Sequence, residues 1–278
     1  MIDPAHEVRY QMLRPAQIVA RRTECAIAYV PLGNLEWHGV QNPLGADTLQ
    51  AEGLAILAAQ RGGGIAFPPV WYAEPKRECM EYAAADRAEI AERMGLAPED
   101  FAETTLPLGA AESALHYQQL LVNMLQQMES LGFRVGVLIA GHYPLIAHAT
   151  IAMHRFVAEA RYRRRPRERA MVAWACQEPD LRFLLERVHA GDHGGRWETS
   201  NCMALHPQTV DLALTRDRTI VGAGKDAVDS SADFGRKNLS DAAGLIAKEA
   251  LHRLKRPGWY QGASYVPGVG KWRDDPEA

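Results

Sequence analysis

Residues Val135 to Ala140 (VGVLIA) form an unbroken apolar run, closed off by Gly132 before it and Gly141 after it. So short a run without polar alternation suits a strand buried on both faces, the environment of a parallel sheet. Cys25 to Leu32 (CAIAYVPL) and Ala170 to Cys176 (AMVAWAC) have the same character. Ile65 to Val70 is a further strand candidate, ended by Pro68 and Pro69. Between these runs lie longer segments with helical spacing. Asp47 to Gln60 reads as a helix that starts at an acidic N-cap, Asp47. Tyr117 to Leu131 repeats apolar residues at Leu120, Leu121, Met124, Leu125 and Met128 before Gly132 supplies a C-cap, and Leu145 to Tyr162 forms the next helix. The order βαβαβ predicts an α/β fold with a mostly parallel sheet and helices on both faces.

A chain of 278 residues is long enough for one large α/β domain, and we take 1–278 as that single domain. The acidic, alanine-rich stretch 83–103 has the character of a helical insertion or lid, and the tail from Arg256 that of a loop pinned by aromatic residues. A net charge of -3 and a pI near 6.4 leave no electrostatic footprint for nucleic acid or an anionic membrane surface, so the expected partner is a small molecule. The basic run Arg161 to Arg169 reads as a solvated helix end. Cys25, Cys79, Cys176 and Cys202 form no CxxC pair and read as reduced core residues, which favours the cytoplasm. The N-terminus carries no apolar signal segment, and no run is long enough to span a membrane.

The chemistry-bearing residues fall at the predicted C-terminal ends of strands, where open parallel sheets bind ligands. Glu36, His38 and then Asp47 follow the first strand, and His142 and Tyr143 follow VGVLIA. A third cluster, His189 to Ser200, packs His189, Asp192, His193 and Glu198 around three glycines. Singly, each has a plainer reading: Glu36 and His38 as parts of a hydrogen-bonded loop, Asp47 as a helix cap, His142 as a satisfied loop histidine. Together, carboxylates and imidazoles at three strand ends point to a metal site.

GNLEWHGVQNPLGAD resembles the creatininase (creatinine amidohydrolase) family signature G-S-x-E-x-H-G-x-H-L-P-L-x-x-D. Gly141-His142-Tyr143 is similar to that family's N-G-H segment, and HGGRWETS to its H-A-G-x-x-E-T-S, in the family's order from Gly33 to Ser200. The resemblance implies a three-layer α/β/α fold, two adjacent divalent ions (zinc, manganese or iron) and a cyclic homohexamer. It implies Glu36, His38, Asp47 and His142 as metal ligands with Asp47 bridging, His193 as the catalytic histidine and Tyr143 as a pocket residue. Creatininase reads G-H-Y-E-N where this chain has Pro144. Glu198 is the replacement ligand, or else a carboxylate that orients His193 or a ligand without touching metal. The family's second histidine in H-G-x-H-L-P is Gln41 or Asn42 here, and the pocket segment 74–108 differs, which argues against creatinine as substrate.

A metal pair held by carboxylates and imidazoles suits hydrolysis, lowering the pKa of a bound water toward neutrality to yield a metal-bound hydroxide. His193 would carry a proton to the leaving group, its tautomer set by Asp192 or Glu198. The leading expectation is opening of a small cyclic amide or related ring. The alternatives are a cyclic diketone such as a dehydro-inosose, opened at a C–C bond, and a non-catalytic metal- or sugar-binding relative. Gln41, Asn42, Tyr143, His189 and Arg196 are the candidate groups for holding a compact polar ring. No dinucleotide loop follows the first strand, and GVGKW lacks the P-loop pattern.

Overall fold

The computed structural model describes residues 1–73, 86–97, 110–159, 170–181, 190–216 and 221–260. In chain order these form α1 (Pro15–Glu24), β1 (Ile27–Leu32), α2 (Ala46–Gly62), β2 (Ile65–Ala66), α3 (Arg87–Arg93), α4 (Ala110–Ser130) and β3 (Val135–Ala140). They continue with α5 (Leu145–Glu159), β4 (Val172–Gln177), α6 (Glu178–Leu181), α7 (Arg196–Leu205) and α8 (Ala232–Lys255).

The four strands are all parallel, in the order β2-β1-β3-β4. Tyr29 of β1 lies opposite Val137 of β3, which lies opposite Trp174 of β4. Side chains alternate across this register. Ile27, Tyr29, Val137, Ile139 and Trp174 face one layer with Leu54 and Leu57 of α2 and Leu239 and Ile246 of α8. Ala28, Val30, Leu32, Leu138 and Ala175 face the opposite layer with Leu121 and Leu125 of α4 and Met153 and Phe156 of α5. Each fully buried aliphatic side chain contributes about 1.5–3 kcal/mol to the sandwich. Both strand faces are apolar because both are covered, which is why these strands show no polar alternation. The expected three-layer α/β/α arrangement is the observed one.

Several element boundaries differ from expectation, each for a local reason. β2 holds only Ile65 and Ala66, because Pro68 and Pro69 interrupt pairing until Val70 bridges back to Leu32. α2 starts at Ala46 with Gly45 as its N-cap, so Asp47 lies inside the first turn. α4 begins at Ala110, before the strict apolar spacing does, and ends as expected with Gly132 at φ +89°. β4 is shifted to Val172–Gln177. Within the 83–103 stretch, α3 buries Ile90 against Trp37 and Val221, while 83–85 and 98–103 lie outside the described residues. So do Cys79, the basic run 161–169 and the tail beyond Tyr260; the other three cysteines are free and buried. No helix among the described residues is long and apolar enough to cross a membrane.

Candidate metal centre

Parallel strands deliver their C-terminal ends to one edge, and β1, β3 and β4 there give way to the segments carrying Glu36 and His38, His142, and Glu178. The approach between layers is unusually close. A Cβ on Gly141 would sit 2.0 Å from the Asp47 carbonyl oxygen, so glycine alone lets the end of β3 pass against the first turn of α2 and bring His142 to Asp47. Gly194, at φ +56°, lets the loop before α7 press against the His38 carbonyl, which a Cβ would meet at 2.7 Å.

The resulting cluster divides around one carboxylate. Oδ1 of Asp47 lies 2.9 Å from Nε2 of His38, and Oδ2 lies 3.0 Å from Nδ1 of His142. On the His38 side, Oε2 of Glu198 stands 3.3 Å from the same Nε2. On the His142 side, Oε2 of Glu36 stands 2.8 Å from the same Nδ1, without the alignment of a hydrogen bond, and Oε1 of Glu36 has no hydrogen-bond partner. In each of the triads Glu36–Asp47–His142 and His38–Asp47–Glu198, one ligand atom per residue lies within 4.8 Å of the others. All five side chains are buried, at 0–5% exposure.

Three buried carboxylates whose ion-pair partners among the described residues are only the two imidazoles make an electrostatic sink. Burial disfavours charge on His38, but Asp47 and Glu198 overcome it and hold the imidazole well above its usual pKa. Burial likewise raises Asp47, and the two histidines more than reverse this, leaving it below the usual carboxylate range. Burial pushes Glu36 up to about 7, opposed by the imidazole of His142 beside it. The centre therefore attracts positive charge, and its donor set of carboxylate oxygens and imidazole nitrogens suits a borderline divalent ion. Nδ1 of His38 lies 3.0 Å from the Glu36 carbonyl, which can only accept, so Nδ1 donates and Nε2 is the ring atom aimed at the carboxylates.

His193 stacks beside His38 with ring centroids 4.4 Å apart, and its Nε2 donates to the Trp37 carbonyl at 2.8 Å. Burial and the neighbouring His38 lower its pKa to about 4. Glu36, His38 and His193 form a third group of convergent ligand atoms. Asp192 differs from its expected role at His193: it accepts from the backbone N–H groups of Gly195, Trp197 and Glu198, capping α7. Burial, then Glu198, raises it to about 7. The carbonyl of Trp37 takes the tautomer-setting place that sequence reasoning gave to Asp192 or Glu198.

A cavity of about 540 Å³ opens over the cluster, with Asp47, His142 and Glu198 below and His193 beside them. Tyr143, Pro144, Gln177 and Pro179 form its wall. Three of the other expected ring-holding groups lie elsewhere. Gln41 donates to the Gly194 carbonyl, and Asn42 to the His38 carbonyl and the Thr199 hydroxyl, so both brace loops rather than face the cavity. Arg196 is exposed and lies over the Phe234 ring, because the first turn of α7 directs it outward. His189 lies outside the described residues. Sequence reasoning missed Gln50, Glu178 and Asn201, all buried behind Glu198. Two of them carried a positional signal: Gln50 sits three residues after Asp47, and Asn201 three after Glu198.

The creatininase family model, described as creatinine amidohydrolase, matches residues 11–251. Among solved structures, a creatinine amidohydrolase (creatininase) is 18% identical, covering 92% of this chain and 99% of that one at a TM-score of 0.66. A Zn-Zn type mutant creatininase is 20% identical, covering 91% and 99% at a TM-score of 0.67. A putative creatinine amidohydrolase from Bacteroides fragilis NCTC 9343 is 16% identical, covering 94% and 99% at a TM-score of 0.59. No curated protein sequence matches. The family model takes in all three motifs and the elements that bring them together, and the chain belongs to the creatininase family.

Proposed function

We propose that this chain is a hydrolase dependent on two divalent ions, zinc, manganese or iron, and that it opens a small polar ring at a carbonyl. A cyclic amide is the leading substrate class. The observation that carries this reading is the division of Asp47, one carboxylate oxygen to each of two converging triads. Glu36, Asp47 and His142 would hold one ion, and His38, Asp47 and Glu198 the other. A bound pair supplies Lewis-acid polarisation of the carbonyl and activates water for attack.

The chain's own residues do the rest. His193, fixed by the Trp37 carbonyl in the tautomer that donates from Nε2, has its basic lone pair on Nδ1, the atom that takes and returns a proton. Pro144 and Pro179 line the cavity, while Tyr143 and Gln177 give its wall polar groups. No tryptophan lines the cavity among the described residues, which agrees with a polar ring rather than creatinine. The exposed Ile151 and Val157 on α5 support self-association, and the free buried cysteines support a reducing compartment.

The test is elemental analysis of protein purified without chelator, then assay of creatinine, lactams, hydantoins and cyclic diketones side by side. Two ions per chain in the wild type and fewer than one in Asp47→Ala are expected. Wild-type protein that holds no ion and gains no activity with zinc or manganese overturns the reading. Efficient turnover of creatinine, with none on polyhydroxylated cyclic diketones, overturns the preference for a polar ring other than creatinine. A second reading makes His193 a ligand, because Glu36, His38 and His193 also converge; metal content of His193→Ala separates the two.

A further inference from the structure

Behind Glu198 runs a chain of buried polar side chains that the proposed chemistry does not use. Nε2 of Gln50, on α2, donates to Oε1 of Glu198 at 2.8 Å. Nδ2 of Asn201, on α7, donates to Oε1 of Gln50 at 3.2 Å and to the two carboxyl oxygens of Glu178 at 3.3 and 3.5 Å. Gln50 and Asn201 are 0% exposed, and Glu178 is 2% exposed. Buried polar groups of this kind cost free energy unless their bonds are made, so the presence of two amides and a carboxyl group in three separate elements calls for a purpose beyond packing.

The bonds have a direction. A primary amide can turn either its NH₂ or its oxygen toward a neighbour, and only the NH₂ is compatible with the carboxylate of Glu198. Asn201 decides this for Gln50, because its own NH₂ occupies the Gln50 oxygen and leaves the Gln50 nitrogen to face Glu198. Glu178 decides it for Asn201 by presenting acceptors on the same side. With Oε1 of Glu198 engaged, Oε2 is the oxygen that receives the Gly194 N–H at 2.8 Å and faces Nε2 of His38 at 3.3 Å.

We propose that Glu178, Asn201 and Gln50 are positioning residues that sort amide polarity toward Glu198 and so set the affinity of one half of the centre, the His38–Asp47–Glu198 side, for its divalent ion. The proposal rests on the reading of the cluster as a two-ion site. The Glu36–Asp47–His142 side has no bond to these three residues, so the two halves should respond unequally to their removal.

The experiment is chelator competition with zinc on the full-length protein, resolving two affinities, alongside thermal unfolding with and without metal. Gln50→Met keeps volume and removes the donor; Asn201→Asp keeps shape and reverses the polarity; Glu178→Gln keeps an acceptor, and Glu178→Met removes it. Expected is a loss of about 10- to 100-fold in one of the two zinc affinities for Gln50→Met, Asn201→Asp and Glu178→Met, with the other held within a few-fold. Glu178→Gln should bind both ions as the wild type does. Equal weakening of both sites in proportion to lost metal-free stability would mean ordinary structural damage and overturn the relay. Unchanged affinities in the three disruptive variants, with two ions in the wild type, overturn the relay and leave the metal reading standing. Wild-type protein that binds no zinc overturns both. If Asn201→Asp does not fold, the contrast between Glu178→Gln and Glu178→Met decides.

Discussion

At the scale of single residues, His193 and Glu178 show how burial sets chemistry. His193 is anchored through Nε2 and does not bridge the two triads, so His193→Ala should keep metal content near wild type while turnover falls by about 10²- to 10⁴-fold. Elemental analysis beside steady-state assay checks this, and metal lost in step with activity would make it a ligand. Glu178 matters for stability. Burial raises its carboxyl to about 8 from an ordinary 4.5, so the folded state holds the proton more tightly than the unfolded chain. A raised acid stabilises fully below the unfolded pKa and loses that contribution as pH rises through the folded one. Metal-free protein should therefore weaken between about pH 5 and pH 8.5, by up to a few kcal/mol from this group. Urea titrations in chelator should show the decline, and Glu178→Gln should flatten it; an equal decline in that variant would remove Glu178 as a cause.

At the scale of elements, the site depends on how closely β3 passes α2. Gly141→Ala places a Cβ against the Asp47 carbonyl at a distance no packing tolerates, and what must move is backbone. The expected cost is about 1–3 kcal/mol or more of stability, with metal binding weakened on the Glu36–Asp47–His142 side. Thermal melts and zinc titration measure the two effects, and a variant that melts and binds like wild type would show that the layers have slack. The short α3 is tied to the same region from the other side. Ile90 packs on Trp37, whose indole donates to the Val221 carbonyl at 2.8 Å and whose own carbonyl holds His193.

At the scale of the whole molecule, the outward sides of α4 and α5 stand together, joined by the bond from Arg155 to Gln119. They leave Leu115, Leu120, Ile151 and Val157 at 37–60% exposure. Large apolar side chains exposed on these adjoining helices favour association, and the homohexamer expected from the family resemblance is put to the test by the mass in solution. Light scattering should give a mass several-fold above 30.8 kDa, and Ile151→Glu should lower it. A wild-type monomer at micromolar concentration refutes the association.

What could be read from the sequence was whatever depends on neighbours along the chain. The unalternating run at Val135–Ala140 implied burial on both faces, hence parallel strands with helices above and below, and strand ends in turn located Glu36, His38 and His142 on one edge. The bridging place of Asp47 was legible only through the family motif, since by local rules an acidic residue at a helix start is a cap, and only the passage of β3 against α2 makes it the shared carboxylate between two histidines. The same holds in reverse for Asp192, which resembled a catalytic partner beside His193 and is engaged by three N–H groups of α7. Gln41 and Asn42 looked like ring-holding groups because they are polar and near the motif, but their loop turns them onto Gly194, His38 and Thr199. Gln50, Asn201 and Glu178 lie on three separate elements, up to 151 residues apart in sequence, and no local pattern marks them as partners. Periodicity and composition report whether a side chain is buried. Which other buried group it meets is decided when the layers close, because hydrogen bonds are short-ranged and directional while hydrophobic burial is neither.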